Sequence, residues 1–358
     1  MERFVFRELR LVAAAPPALW LLCALAAFLC SGCGGSGSNS GTTATPTRLY
    51  SVAQIPTPSS IVDSVFLSPS GSVAGAYRPG ATGTDFFLFL WRDNQFIIAG
   101  LPSELSGHVD LTVTGVNDSG QVAVGTISDA GVRAYRWQNG VFNGIEGGTG
   151  ALTHVAGGIS ADGTVFGTYQ NTETRVPFRW KDGAFTDLPV AAGVVLSSEK
   201  VFASPGGLAV GTTRVSTTEK PRFSFWNGSG SLVTDLAVTS LDTNDLILRG
   251  VSDSGVLLVA DPTLSHPLLV NPSGQVEALT PINDAESITP GGTVLGYNNE
   301  TQTQVLISGT SSTTLDRELP ANGLHNITYL TVNDAGQLVA LASNESGHQG
   351  LYLLTPTP

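Results

Sequence analysis

One ten-residue phrase, VNDSGQVAVG at 116–125, returns in altered form along most of the chain. Aligned on a single glycine per copy, the phrase falls at Gly71, Gly120, Gly163, Gly207, Gly255, Gly292 and Gly336, at intervals of 49, 43, 44, 48, 37 and 44 residues. Four residues before each glycine stands Leu67, Val116, Ile159, Ala203, Val251, Ile288 or Val332. Three before stands a small polar residue: Ser68, Asn117, Ser160, Ser204, Ser252, Thr289, Asn333. Two after stands Val73, Val122, Val165, Ala209, Leu257, Val294 or Leu338. Units of this length are too small to bury their own faces, so copies must stack on one another.

Each column has a physical reason. The small polar residue suits the first position of a turn, where its side chain accepts a hydrogen bond from the backbone two residues on. Pro69, Pro205 and Pro290 follow it, where φ near −65° is wanted. The glycine takes the left-handed conformation that closes a hairpin with a bulge. The flanking apolar residues alternate with period two, as strands do. A later glycine, Gly75, Gly125, Gly167, Gly211 or Gly296, marks close backbone approach inside a strand.

An aromatic-rich strand follows each hairpin: FFLFLW at 86–91, RAYRW at 133–137, PFRW at 177–180, RFSFW at 222–226. The pattern fades to HPLLV, TQVLI and GLYLL in the later units. A short turn then leads to a fourth strand, such as VFNGI at 141–145 or AFTDL at 184–188. Four antiparallel strands in about 44 residues predict an all-β fold, a β-propeller with one blade per unit. Seven blades are expected over 48–358, with six or eight as alternatives. The seventh unit lacks a fourth strand, and LYSVAQI at 49–55 stands before the first unit with no hairpin of its own. Pairing the two completes the last blade and ties the ring shut.

The blade motif resembles the bacterial extracellular HAF-repeat proteins. Asn117-Asp118-Ser119-Gly120, Phe178-Arg179-Trp180, Asp182-Gly183 and Asp187-Leu188 carry the likeness, and only His266 holds the family's histidine position. The resemblance implies location and fold, with no general catalytic function.

The beginning of the chain reads differently. Arg3, Arg7 and Arg10 precede a largely apolar run from Leu11 to Leu29, interrupted by Pro16 and Pro17. This is the pattern of a secretory signal rather than of a membrane-spanning helix. Leu29-Cys30-Ser31-Gly32-Cys33 resembles the lipobox of bacterial lipoproteins, with Cys30 where the family has leucine. The resemblance implies a signal over 1–32, lipid on Cys33 as the membrane attachment, and a flexible Gly/Ser/Thr/Asn tether over 33–47. Gly34 after the cysteine implies the outer membrane. The alternative is ordinary secretion with a cut near Gly34 or beyond. Cleavage before Cys33 leaves one thiol and no internal disulfide, since Cys23, Cys30 and Cys33 are the chain's three cysteines.

The formal charge of −12 becomes −13 once the three basic and two acidic residues of 1–32 are removed. Such a surface repels nucleic acid, and no basic patch interleaved with aromatics is present. No cofactor, no metal and a monomeric state are expected. In a propeller the turns between first and second and between third and fourth strands share one face. The links between second and third strands, and between blades, share the other. The turns here are short and uniform, whereas the links vary, so binding is expected on the link face. Each second-to-third link carries a carboxylate: Asp85, Asp129, Glu173, Glu219, Asp261, Glu300, Glu345. These form either an acidic rim for a cation or basic partner, or simply solvated loops. All five histidines, His108, His154, His266, His325 and His348, fall on the same face, but no pair has the short spacing of a zinc site. Trp91, Trp137, Trp180 and Trp226 recur at one blade position, which suggests packing between blades. The Gly-rich GGTG at 147–150 lacks the strand–helix context and lysine of a phosphate loop. No catalytic residue is assigned. The expected function is a non-catalytic binding or scaffold module for protein or glycan. The alternative is a glycan-acting lyase or hydrolase with its site at the channel mouth.

Overall fold

A computed structural model of the chain describes residues 50–357, apart from 58–61, 80–85, 102–104, 106–108, 130, 173, 199, 216–218 and 239–245. The signal, Cys33 and the tether lie outside the described residues, as do Asp85, Glu173 and His108.

Seven antiparallel sheets follow one another along the chain, forming a seven-bladed β-propeller. In each blade the strands are called inner, second, third and outer. Blade 1 comprises Val62–Leu67, Val73–Tyr77, Phe87–Arg92 and Gln95–Ala99, and blade 2 comprises Asp110–Val116, Val122–Ser128, Gly131–Gln138 and Val141–Gly144. Blade 3 comprises Thr153–Ile159, Val165–Gln170, Arg175–Lys181 and Ala184–Asp187. Blade 5 runs from Ile247–Val251 to Val276–Ala278, and blade 6 from Asp284–Ile288 to Ser311–Thr314. Blade 7 contains Leu324–Val332, Leu338–Asn344 and Gln349–Pro356. Its outer strand is Tyr50–Ile55, antiparallel to the third strand, with Tyr50 opposite Pro356 and Ile55 opposite Leu351. Inner strands of consecutive blades lie side by side, and blade 7 meets blade 1 in the same way.

Blade 4 departs from the expected unit. Its inner strand is broken into Val195–Leu196 and Phe202–Ala203, both paired with Ala209–Arg214. Ser197 and Ser198 cause the break, because both donate their backbone N–H to Thr212 O, and Ser198 Oγ accepts from Thr212 N at 3.1 Å. Serine hydroxyls compete in this way with a regular ladder.

The core lies between blades. Trp91, Trp137, Trp180 and Trp226 are buried, each within an apolar cluster shared by neighbouring blades. Burying each ring contributes roughly 2–3 kcal/mol. The cluster joining blades 7 and 1 contains Ile55 of the first described strand with Val73, Phe89, Val339 and Leu351. All seven repeat glycines are left-handed, with φ between 72° and 98°. A side chain at Gly75, Gly167 or Gly296 would run into a neighbouring backbone carbonyl, and one at Gly211 into Leu196 and Val201. Gly125 differs: a side chain there would meet nothing within 4 Å. It lies five residues after its repeat glycine, whereas the others lie four after theirs. In a period-two strand that single step turns it to the opposite face.

Candidate functional site

The two faces of the ring are built differently. On the turn face, the seven small polar residues three before each glycine are all buried. In six of them the side chain accepts from the backbone N–H four residues on, as in Ser72 N to Ser68 Oγ at 3.0 Å and Gln337 N to Asn333 Oδ1 at 3.0 Å, and Asn117 Oδ1 also accepts from Ser119 N, two residues on, at 3.1 Å. In blade 3, Ser160 instead donates to Asp162 Oδ1 at 2.6 Å, and Asp162 accepts Thr164 N. Asp162 is held well below the usual carboxylate range: burial works against this, but hydrogen bonds from Lys181, Ser160 and Thr164 outweigh it.

Each turn is also bonded to the next. Ser70 N donates to Asp118 Oδ1 at 2.8 Å, Gly206 N to Asp253 Oδ1 at 2.7 Å, and Gly291 N to Asp334 Oδ2 at 2.9 Å. Asn117 Nδ2 reaches Ser160 O at 3.1 Å and Asn333 Nδ2 reaches Ser68 O at 3.0 Å. Ala161 N donates to Pro205 O at 2.8 Å and Asp253 N to Pro290 O at 2.9 Å. These bonds cover every junction from blade 1 through blade 7 and back to blade 1. Buried polar groups must find partners, and here the partner lies one blade away.

The link face holds the residues expected to bind. Asp129, Glu219, Glu300 and Glu345 are exposed there. Asp261 is not: it is buried, and its Oδ1 accepts Thr263 N at 2.8 Å and Thr263 Oγ1 at 2.7 Å, so it closes a turn instead of facing solvent. The histidines do not converge. His154 sits against the rings of Tyr169, Phe178 and Phe185, with Nε2 at 2.8 Å from Gly147 O. His266 Nδ1 is 2.7 Å from Ile282 O, His325 Nδ1 is 2.6 Å from Glu318 Oε2, and His348 Nδ1 is 2.8 Å from Ser346 Oγ. Among the described residues no three His, Cys, Asp or Glu side chains stand close enough to hold a metal ion. The GGTG segment has a packing role. Gly147 and Gly148 press against Phe185 and Tyr169 where a side chain would collide, so the loop covers the aromatic cluster.

Two features were missed from sequence. The first is Glu286 on the inner strand of blade 6, at a bulge between Ala285 and Ser287. Its side chain is exposed, but the protein crowded around the carboxyl strips part of its hydration and pushes its pKa up to about 7; the hydrogen bond from Gln304 opposes this and the charge of Asp284 adds to it. Gln304 is itself buried, bonded to Tyr329 O at 2.6 Å and Tyr329 N at 2.7 Å across the junction with blade 7. The second is an uneven spread of apolar side chains. Ile127, Leu152, Val195, Val215, Ile247 and Leu264 are 40–66% exposed, and all lie at the link end of blades 2 to 5. Among the described residues, the link ends of blades 6, 7 and 1 expose no large apolar side chain. They carry Glu300, Glu318, Glu345, His325 and His348 instead.

No family model and no curated protein matches the chain. Solved structures do match in fold. Selenomethionine-substituted virginiamycin B lyase from Staphylococcus aureus has a TM-score of 0.52 at 12% identity, covering 87% of this chain and 100% of that one. YCF48 bound to D1 peptide has a TM-score of 0.50 at 17% identity, covering 88% and 99%. Puromycin hydrolase has a TM-score of 0.51 at 13% identity, covering 80% and 50%. The likeness is one of fold. At such identities the chemistry of these proteins does not transfer.

Proposed function

We propose that the protein is a non-catalytic binding module whose partner is a protein that docks on the link face over blades 2 to 5. The observation carrying this reading is that, among the described residues of the link face, exposed large apolar side chains occur only at those four blades. Single exposed apolar residues are ordinary, but six on one face beside a polar sector fit an interaction surface. The −12 charge and the acidic sector of blades 6 and 7 favour a partner with basic residues flanking its apolar contact. YCF48, of the same fold, was solved bound to a peptide, which supports a protein partner. Further, the basic start, apolar run and Cys33 support an envelope lipoprotein anchored by lipid at Cys33, and the blade motif supports kinship with HAF-repeat proteins.

The test is capture from envelope extract with wild type and with a Leu152→Ser/Val195→Ser/Ile247→Ser/Leu264→Ser variant of equal stability. Wild type should retain a specific protein that the variant loses; identical captured sets from both would defeat the reading. For the anchor, mass spectrometry should find an acyl-modified Cys33, and Cys33→Ala should release the protein from membranes.

A second reading, a glycan-acting lyase or hydrolase, rests on Glu286. A carboxylic acid part-protonated near neutral pH, with Asp284 two residues away, suits general acid catalysis. Turnover of a soluble glycan panel that disappears in folded Glu286→Gln would favour it, and no turnover by wild type would remove it.

A further inference from the structure

The rim of the propeller consists of seven outer strands, each at the end of its sheet. A terminal strand offers a row of N–H and C=O groups with no strand beyond it, and proteins blunt such edges with charged or polar residues. Most edges here are blunted. Ala184–Asp187 carries Asp187, Leu232–Ala237 carries Asp235 and Val276–Ala278 carries Glu277. Val141–Gly144 carries Asn143, Ser311–Thr314 is all hydroxyl, and Tyr50–Ile55 holds its bulky ends buried.

The outer strand of blade 1, Gln95-Phe96-Ile97-Ile98-Ala99, has no such protection. Ile97 is 40% exposed and Ile98 49% exposed, and no other outer strand exposes two large apolar residues. The register sets Ile97 opposite Leu90 and Ile98 opposite Phe89, so the two isoleucines stand on opposite faces of the sheet. Phe96 stacks on Phe89 at 5.6 Å and stiffens the strand from the Ile98 side. On the Ile97 side a cleft of about 270 Å³ opens between blades 1 and 2, lined by Leu90, Ile97 and Trp137, with Arg92, Gln95 and Asn139 among its polar residues. Arg92 lies 3.3 Å from Asp93, so the charged side chains lining the cleft are of opposite sign and side by side.

We propose that this edge accepts a short extended segment of a partner protein as a fifth strand of blade 1. The added strand places one apolar side chain in the cleft beside Ile97 and the adjacent one against Ile98. Backbone hydrogen bonds supply affinity and the cleft supplies selectivity. The edge is too short to hold a second copy of the chain: five residues span about 17 Å, and a stable pair of proteins buries on the order of 1,200 Å² or more. The surface differs from the link face, so either proposal can fail without the other.

The experiment selects a random octapeptide display library on the whole mature chain and counter-selects on Ile97→Lys/Ile98→Lys. Enriched peptides should carry adjacent or alternating apolar β-branched residues. They should bind the lysine variant, and a milder Ile97→Thr/Ile98→Thr variant that retains strand propensity, about tenfold more weakly or worse. N-methylating alternate backbone amides of a selected peptide should abolish binding, whereas the link-face serine variant should bind it normally. Peptides that bind the threonine variant as well as wild type, or that tolerate N-methylation, overturn the proposal. So does a library with no enrichment over the variants. Concentration-dependent dimerisation that the threonine variant removes also overturns it, by assigning the edge to a second copy.

Discussion

The turn face and the link face come from the same seven units, yet their residues are committed differently. On the turn face the polar side chains are buried and spent on bonds to the next blade, as with Asn117 on Ser160 O and Asn333 on Ser68 O. On the link face the carboxylates of Asp129, Glu219, Glu300 and Glu345 face solvent, and four of the seven blades expose large apolar side chains. One face holds the ring together while the other is released from that duty and so can differ from blade to blade. This is the usual division between a rigid scaffold and the loops it presents.

The sharpest way to break this contrast is to remove a turn bond. Asn333→Ala leaves Ser68 O, Pro69 O and the Gln337 N–H short of a partner in a buried site. The expected loss is about 3 kcal/mol, read as a lower denaturant midpoint with an unchanged slope. A loss no greater than that of a surface substitution would mean the turn ring is incidental. The four-serine link-face variant should move stability by about 0.5 kcal/mol or less per site, while removing partner binding. If it unfolds the protein, the link face is structural after all.

Glu286 sharpens the contrast at the axis. Its pKa is raised from the ordinary value to about 7. The folded state therefore holds a proton that the unfolded state has already released between about pH 4.5 and 7. Stability from this group is complete below the unfolded pKa and declines as pH rises through 7. The side chain is exposed, so solvent screens the group and the expected change is about 1 kcal/mol. Glu286→Gln should flatten the profile over pH 5–8 in chemical denaturation; an unchanged slope would show that the carboxyl is effectively solvated. Asp118 should act with the opposite sign and more weakly. Burial works against its ionisation, but the hydrogen bonds from Ser68 and Ser70 and the charge of Arg92 lower its pKa. Its contribution should be lost as pH falls through the carboxylate range, and Asp118→Asn should remove that acid-side loss.

Much of the ring was legible in sequence because the seven glycines are demanded by backbone conformation, and conformation leaves a mark at each position. The tryptophan column was legible for a similar reason: the same wedge between blades recurs at the same place. The second role of Asn117 and Asn333 was not, because the carbonyls they reach lie 43 and 265 residues away and the residues suit a simple turn equally well. Gly125 carried a readable signal in its one-residue offset, which period two converts into an opposite orientation. The apolar sector was hidden because Leu152, Val195 and Leu264 stand singly at strand ends and in links, where no periodicity separates exposed from buried. Glu286 gave no signal because its bulge exists only through pairing with Gly296 and Leu295.

The account rests above all on the shared last blade, where Tyr50–Ile55 lies along Gln349–Pro356. Ser51 and Thr355 face each other across that pair, with Ser51 Oγ at 3.3 Å from Thr355 O. In a form beginning after Cys33, which contains no other cysteine, Ser51→Cys/Thr355→Cys should form a disulfide spontaneously on oxidation. The bond should raise the denaturant midpoint relative to the reduced protein, as a cross-link closing a loop of about 300 residues does. Thiols that stay free in the folded protein, or a bond that leaves the midpoint unmoved, would contradict a ring held by both ends of its chain.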